Sequence, residues 1–136
     1  MVQAAGLSPG GLNLRVLPGA LAIARLAADA APPGWAAPAG PFHAVVRTRG
    51  ETSIVCSDDA VPGDVAAERG FRALQVAGPL DFALTGVLAA VAVPLASAAV
   101  SIFAIATYDT DYVLVRGERL DEAIAALEAA GHRVER

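Results

Sequence analysis

Apolar and polar residues alternate over Leu12-Asn13-Leu14-Arg15-Val16-Leu17 and again over Leu21-Ala22-Ile23-Ala24-Arg25-Leu26, with Pro18-Gly19 between them. A period of two places successive side chains on opposite faces of a strand, so the spacing predicts two strands joined by a turn. The stretch Ala31-Pro32-Pro33-Gly34-Trp35-Ala36-Ala37-Pro38-Ala39-Gly40-Pro41 breaks the sheet, and Trp35 is its one large apolar anchor. Residues 42–48 and 51–56 flank Arg49-Gly50, a two-residue hairpin link. That register pairs Thr48 with Glu51 and sets His43 opposite Cys56.

Residues 58–70 are polar and broken by Pro62-Gly63, which marks the expected boundary between two halves. Alternation resumes in residues 71–76, and Gly78-Pro79-Leu80-Asp81 turns the chain. Residues 82–99 have helical composition, with an irregularity expected at Pro94. Residues 101–107 and 112–116 read as a hairpin around Tyr108-Asp109-Thr110-Asp111. Leu120, Ala123, Ile124, Leu127 and Ala130 mark one face of a helix stopped by Gly131, and residues 132–135 form a last short strand. The order β-α-β-β-α-β predicts a ferredoxin-like antiparallel sheet with two helices on one face.

Composition narrows the function. The chain has 136 residues, 55% of them hydrophobic, enough for one compact domain or two very small ones and incompatible with a disordered chain. Its net charge is −4, and the ten cations are all arginines spread along the chain, which argues against a nucleic-acid groove. One cysteine and two histidines without ligand spacing give no disulfide framework and no structural zinc site. No charged residue occurs from Phe82 to Tyr108. That length passes a naive test for a membrane span, but Gly86, Pro94 and the change of pattern after residue 100 split it into helix plus strand. The expectation is no membrane partner. Residues 1–11 read as a loose tail without the basic and apolar regions of a secretory signal, and with one free thiol the expected compartment is the cytoplasm.

The residues Gly78-Pro79-Leu80-Asp81-Phe82, Leu84-Thr85-Gly86-Val87-Leu88, Pro94-Leu95-Ala96 and the run from Ser101 to Val115 (SIFAIATYDTDYVLV) together resemble the ACT domain. More narrowly the chain is similar to stand-alone bacterial ACT proteins related to aspartate kinase regulatory domains and to the CASTOR arginine sensors. Leu17-Pro18-Gly19, the Trp35 loop, Ser53-Ile54-Val55-Cys56 and Glu68-Arg69-Gly70-Phe71 extend a weaker likeness over most of the chain. The resemblance implies an α+β protein of two ACT-like, ferredoxin-like βαββαβ units side by side, residues 12–67 and 68–136. The first is degenerate, its helices vestigial. It also implies amino-acid binding and regulation, no catalysis, no cofactor, and a homodimer acting on a partner protein that the sequence does not identify.

By that resemblance the ligand lies against Gly78, Pro79, Leu80 and Asp81 and against Phe103, Ala104, Ile105, Thr107, Asp109, Thr110 and Asp111. The chemistry is consistent with it. A loop entering a helix N-terminus offers N–H groups to a carboxylate, and Asp81, Asp109 and Asp111 offer acceptors to an ammonium or guanidinium group. The structural alternative makes Asp81 a helix N-cap and Asp109-Thr110 hairpin-turn residues. Two other functions stay open. In one the chain is an oligomerisation module without a ligand, driven by the apolar helix. In the other Cys56 and His43 act as a nucleophile and base, which requires a lowered thiol pKa and an orienting third group.

Overall fold

The computed structural model describes residues 11–81 and 84–136, so residues 1–10 of the loose tail expected over residues 1–11, and the helix start expected at Phe82, lie outside the described residues. In chain order the described elements are β1 (Asn13–Val16), β2 (Leu21–Leu26), β3 (Ala44–Arg47), β4 (Thr52–Ser57), β5 (Ala67–Val76), α1 (Val87–Ser97), β6 (Phe103–Ala106), β7 (Asp111–Arg116), α2 (Leu120–Ala129) and β8 (Arg133–Glu135). Short 3-10 turns occupy Gly34–Ala36, Asp58–Ala60 and Gly117–Arg119. The chain is therefore of the α+β class.

It divides into two compact units, a split unit made of the chain up to Leu17 with Ala73–Arg136, and an inserted unit, Pro18–Arg72. This differs from the contiguous halves 12–67 and 68–136. The reason is the partner that β1 takes: Leu14 lies opposite Val76 and Val16 opposite Leu74 of β5, antiparallel, while on its other side Leu14 lies opposite Val134 of β8, parallel. That parallel pair also corrects the expectation of purely antiparallel sheets. Alternation shows that a strand exists but not which strand it joins.

In the split unit the strand order is β8-β1-β5-β7-β6. Leu14, Val16, Leu74, Val76, Val113 and Val115 supply the buried face of this sheet, and Val91 and Leu95 of α1 and Ala123, Ile124 and Leu127 of α2 pack on it. Each fully buried Val or Leu contributes about 1.5–3 kcal/mol. Helix α2 follows the predicted stripe and ends where Gly131 takes φ +98°, the left-handed conformation that glycine adopts at a helix C-terminus.

Helix α1 starts at Val87 rather than Phe82, because Gly86, at φ +82°, sits in the left-handed region immediately before the first turn. Pro94 lies inside the helix and has no N–H to give the carbonyl of Ala90, four residues back. His132 fills that place: its Nε2 is 2.8 Å from the Ala90 oxygen, and its Nδ1 is 3.0 Å from the Leu12 nitrogen. Because the Leu12 N–H donates to Nδ1, the ring proton sits on Nε2 and is donated to Ala90. The far end of α1 is capped by Arg119, whose guanidinium donates to the carbonyls of Ala98 and Ala99 at 3.3 Å while pairing with Glu122 at 2.7 Å.

In the inserted unit the strand order is β3-β4-β2-β5, all antiparallel. The hairpin β3–β4 has the predicted register, with Thr48 N–H donating to the Glu51 carbonyl at 2.9 Å. Ala22, Ala24, Ile54, Cys56, Ala36 and Val61 form the core, with Trp35 half-buried against it. Only 3-10 turns stand where helices would be, among the described residues. Strand β5 starts at Ala67, earlier than the expected Phe71, and its register against β2 shifts between Leu21 and Ile23. Gly70, at φ +73°, lies within the shift, and Asp58 holds it, accepting from the Gly70 N–H at 2.6 Å and from Arg69 at 3.4 Å.

Candidate functional site

The split unit contains a cavity of about 490 Å³ where β5 runs out and the β6–β7 hairpin turns. Its wall is assembled from two loops tied to each other. Beyond Val76, the Ala77 N–H donates to Asn13, and the Leu80 N–H donates to the Asp109 carbonyl at 2.7 Å. From the other side Thr110, buried, donates its Oγ1–H to the Val76 carbonyl at 2.6 Å. Gly78 suits this close approach: a Cβ there would stand 3.1 Å from the Thr110 Cβ and 3.2 Å from the Asp109 oxygen, tighter than ordinary van der Waals contact. The hairpin itself is closed by Thr107, whose N–H and Oγ1 both donate to the Thr110 carbonyl, at 2.9 and 2.8 Å.

The cavity is lined by Leu80, Asp81, Thr107, Asp109, Thr110 and Asp111 of the expected residues, and also by Leu84, Val87, Ala106 and Tyr108. Gly78 shapes the loop but opens onto a separate polar hollow of about 140 Å³ beside Arg15 and Gln75. Pro79, Phe103, Ala104 and Ile105 do not line the main cavity. Phe103–Ala106 is the edge strand of this sheet, and its first three residues lie further along it. The late start of α1 brings Val87 and Leu84 into the wall, and Thr85-Gly86 is the sequence signal that marks this boundary.

The structural alternatives separate here. Asp81 is not the N-cap of α1, because Gly86 holds that position, whereas Asp109 and Thr110 are hairpin-turn residues as well as wall residues. The described lining joins apolar residues, Leu80, Leu84, Val87 and Ala106, to three aspartates, Asp81, Asp109 and Asp111, with no cation among the described lining residues. Such a surface suits a small molecule that joins an aliphatic part to an ammonium or guanidinium group. Tyr108, 84% exposed, stands at the rim.

The thiol reading lacks its physical basis. Cys56 is buried, burial pushes its thiol up, the Asp58 carboxylate pushes it further and the Arg69 guanidinium works against both. The His43 ring is engaged elsewhere, with Nε2 2.5 Å from the Ala36 carbonyl oxygen. Among the described residues no group of three or more His, Cys, Asp or Glu stands close enough to hold a metal ion, and no helix is long and apolar enough to cross a membrane.

Residues 66–129 match the family model of the ACT domain, and residues 19–64 match a second model, that of an N-terminal domain. No curated protein matches the chain. Among solved structures, it is similar to a protein from Agobacterium tumefaciens, with 38% identity over 91% of this chain and 92% of that one and a TM-score of 0.86. A Vibrio cholerae protein of unknown function is 19% identical over 90% of this chain and 91% of its own, with a TM-score of 0.73. The regulatory subunit of aspartate kinase from Thermus thermophilus is 16% identical, covering 85% and 96% of the two chains with a TM-score of 0.57, and so shares the fold.

Proposed function

We propose that this chain, which belongs to the ACT domain family, is a non-catalytic regulatory module that binds an amino acid or a similar small zwitterion. The observation that carries the reading is the cavity at the end of β5, which lies in the segment that matches the family. Asp81, Asp109 and Asp111 take the ammonium group, the first turn of α1 faces the carboxylate, and Leu80, Leu84 and Val87 take the aliphatic part. The likeness to the regulatory subunit of aspartate kinase supports regulation without chemistry. In the same reading β5-α1-β6-β7-α2-β8 is a ferredoxin-like unit into which β1 is inserted, Pro18–Arg72 is its reduced counterpart, and the protein works as a cytoplasmic homodimer on a partner protein.

The test is thermal unfolding of the purified chain with each of the twenty amino acids at millimolar concentration. A ligand at 100 times its Kd adds about 2.7 kcal/mol, enough to raise the midpoint visibly. One or two amino acids raise it, and Asp81→Ala and Asp109→Ala abolish the rise. If none does, the sensor reading fails.

A second reading is favoured by α1 itself. Its outward residues include Leu88 and Val93, 45% and 62% exposed, and the helix carries no charge. An apolar surface of this kind serves an oligomerisation module with an unused cavity. Sedimentation equilibrium separates the two: this reading requires a dimer that Val93→Glu dissociates and that no amino acid stabilises.

A further inference from the structure

His132 is a titratable side chain that the ligand reading does not use. It is 8% exposed, and both ring nitrogens are spent on backbone groups of different elements, Nδ1 on the Leu12 N–H that leads into β1 and Nε2 on the Ala90 carbonyl of α1. Pro94 makes the second bond specific, because it removes the helix's own donor to that carbonyl. Two neighbours tighten the first. The Arg133 N–H donates to the Leu12 carbonyl at 2.8 Å, and Gly11, at φ +79°, packs so closely on the Gly131 carbonyl that a Cβ would collide with it. A neutral imidazole satisfies one donor and one acceptor in this way; a protonated one carries N–H on both nitrogens and sets a donor against the Leu12 donor.

We propose that His132 is a proton-operated clasp, closed while the ring is neutral and joining the entry of β1 to the middle of α1, and opened when the ring takes up a proton. The charged residues on the elements packed around it are Arg15 of β1, Asp121, Glu122 and Glu128 of α2, and Arg133 and Glu135 of β8; α1 has none. Arg15 pairs with Glu135, Asp121 with Arg136 and Glu122 with Arg119. None of these side chains holds a ring nitrogen of His132, since the backbone holds both. The clasp is independent of whether the cavity binds an amino acid.

Amide hydrogen exchange of the full chain tests it. A proton on Nδ1 turns that nitrogen from acceptor to donor, so an opened and protonated ring cannot re-form its bond to the Leu12 N–H. Protection of the Leu12 amide, corrected for intrinsic exchange, therefore falls between pH 8 and pH 5, the range in which an imidazole changes charge. The amide of Val115 in β7 is the reference and keeps its protection. In His132→Gln the amide side chain donates to Ala90 and accepts from Leu12 at any pH, so the fall disappears. Equal Leu12 protection at the two pH values, an equal fall at Val115, an unchanged fall in His132→Gln, or a ring protonated on Nδ1 at pH 8 by nitrogen chemical shift would each overturn the proposal. Where the Gln variant fails to fold, the wild-type comparison of Leu12 with Val115 decides alone.

Discussion

Replacing His132 by Ala removes the partners of two backbone groups at once, the Leu12 N–H and the Ala90 carbonyl. A polar group left unsatisfied away from water costs about 1–3 kcal/mol, so His132→Ala destabilises the chain by roughly 2–6 kcal/mol. The two halves of that cost can be told apart through Pro94. In Pro94→Ala the new N–H at residue 94 donates to the Ala90 carbonyl, which then keeps a partner when the imidazole is gone. The loss from His132→Ala should therefore shrink by about 1 kcal/mol in the Pro94→Ala background, the net worth of one hydrogen bond. Urea unfolding of the four proteins of this cycle, with equal m-values, measures the coupling. Additivity within about 0.3 kcal/mol would refute the idea that His132 replaces the donor that Pro94 withholds.

Gly78→Ala presses a methyl group against Thr110 and Asp109, which must shift by a few tenths of an ångström against hydrogen bonds of 2.6 and 2.7 Å. The expected cost is about 1–3 kcal/mol in urea unfolding together with loss of any amino-acid effect on the midpoint, and a change under about 0.5 kcal/mol would show that the two loops are slack. The raised thiol of Cys56 fixes the sign of a pH effect. The unfolded thiol ionises first as pH rises through its ordinary range near 9.0, while the folded one holds its proton. Stability is thus complete below that range and is lost as pH rises toward the folded value, more steeply in the wild type than in Cys56→Ala. The same burial makes reaction with a thiol reagent slow at neutral pH, and rapid labelling of the native chain would restore the nucleophile reading.

Local signals in the sequence were the legible ones. The hairpin of β3 and β4 follows from Arg49-Gly50 alone, because a two-residue link fixes register, and α2 follows from one apolar stripe and a glycine stop. What could not be read is non-local. The alternation of Leu12, Leu14 and Val16 says nothing about Val76 and Val134, the residues they meet. The start of α1 is not legible because the apolar run before Gly86 has helical composition, and conformation at one glycine decides the boundary. The same ambiguity hides Leu84 and Val87 from the candidate site, whereas the carboxylates are visible as isolated charges at loop positions.

The insertion of Pro18–Arg72 between β1 and β5 has a temporal meaning. Synthesis delivers the chain from its N-terminus, and every strand that β2, β3 and β4 require exists once residue 71 has emerged. β1, made before β2, then waits for β5 and finally for β8, with the Leu12 to His132 bond spanning 120 residues of sequence. Loops of that length close slowly, so nascent chains should acquire protease resistance in the inserted segment before the split unit exists. β1 is thus among the last strands to be locked, and a ribosome-stalled chain ending shortly after residue 80 has emerged would hold an ordered insert while β1 still lacks β8.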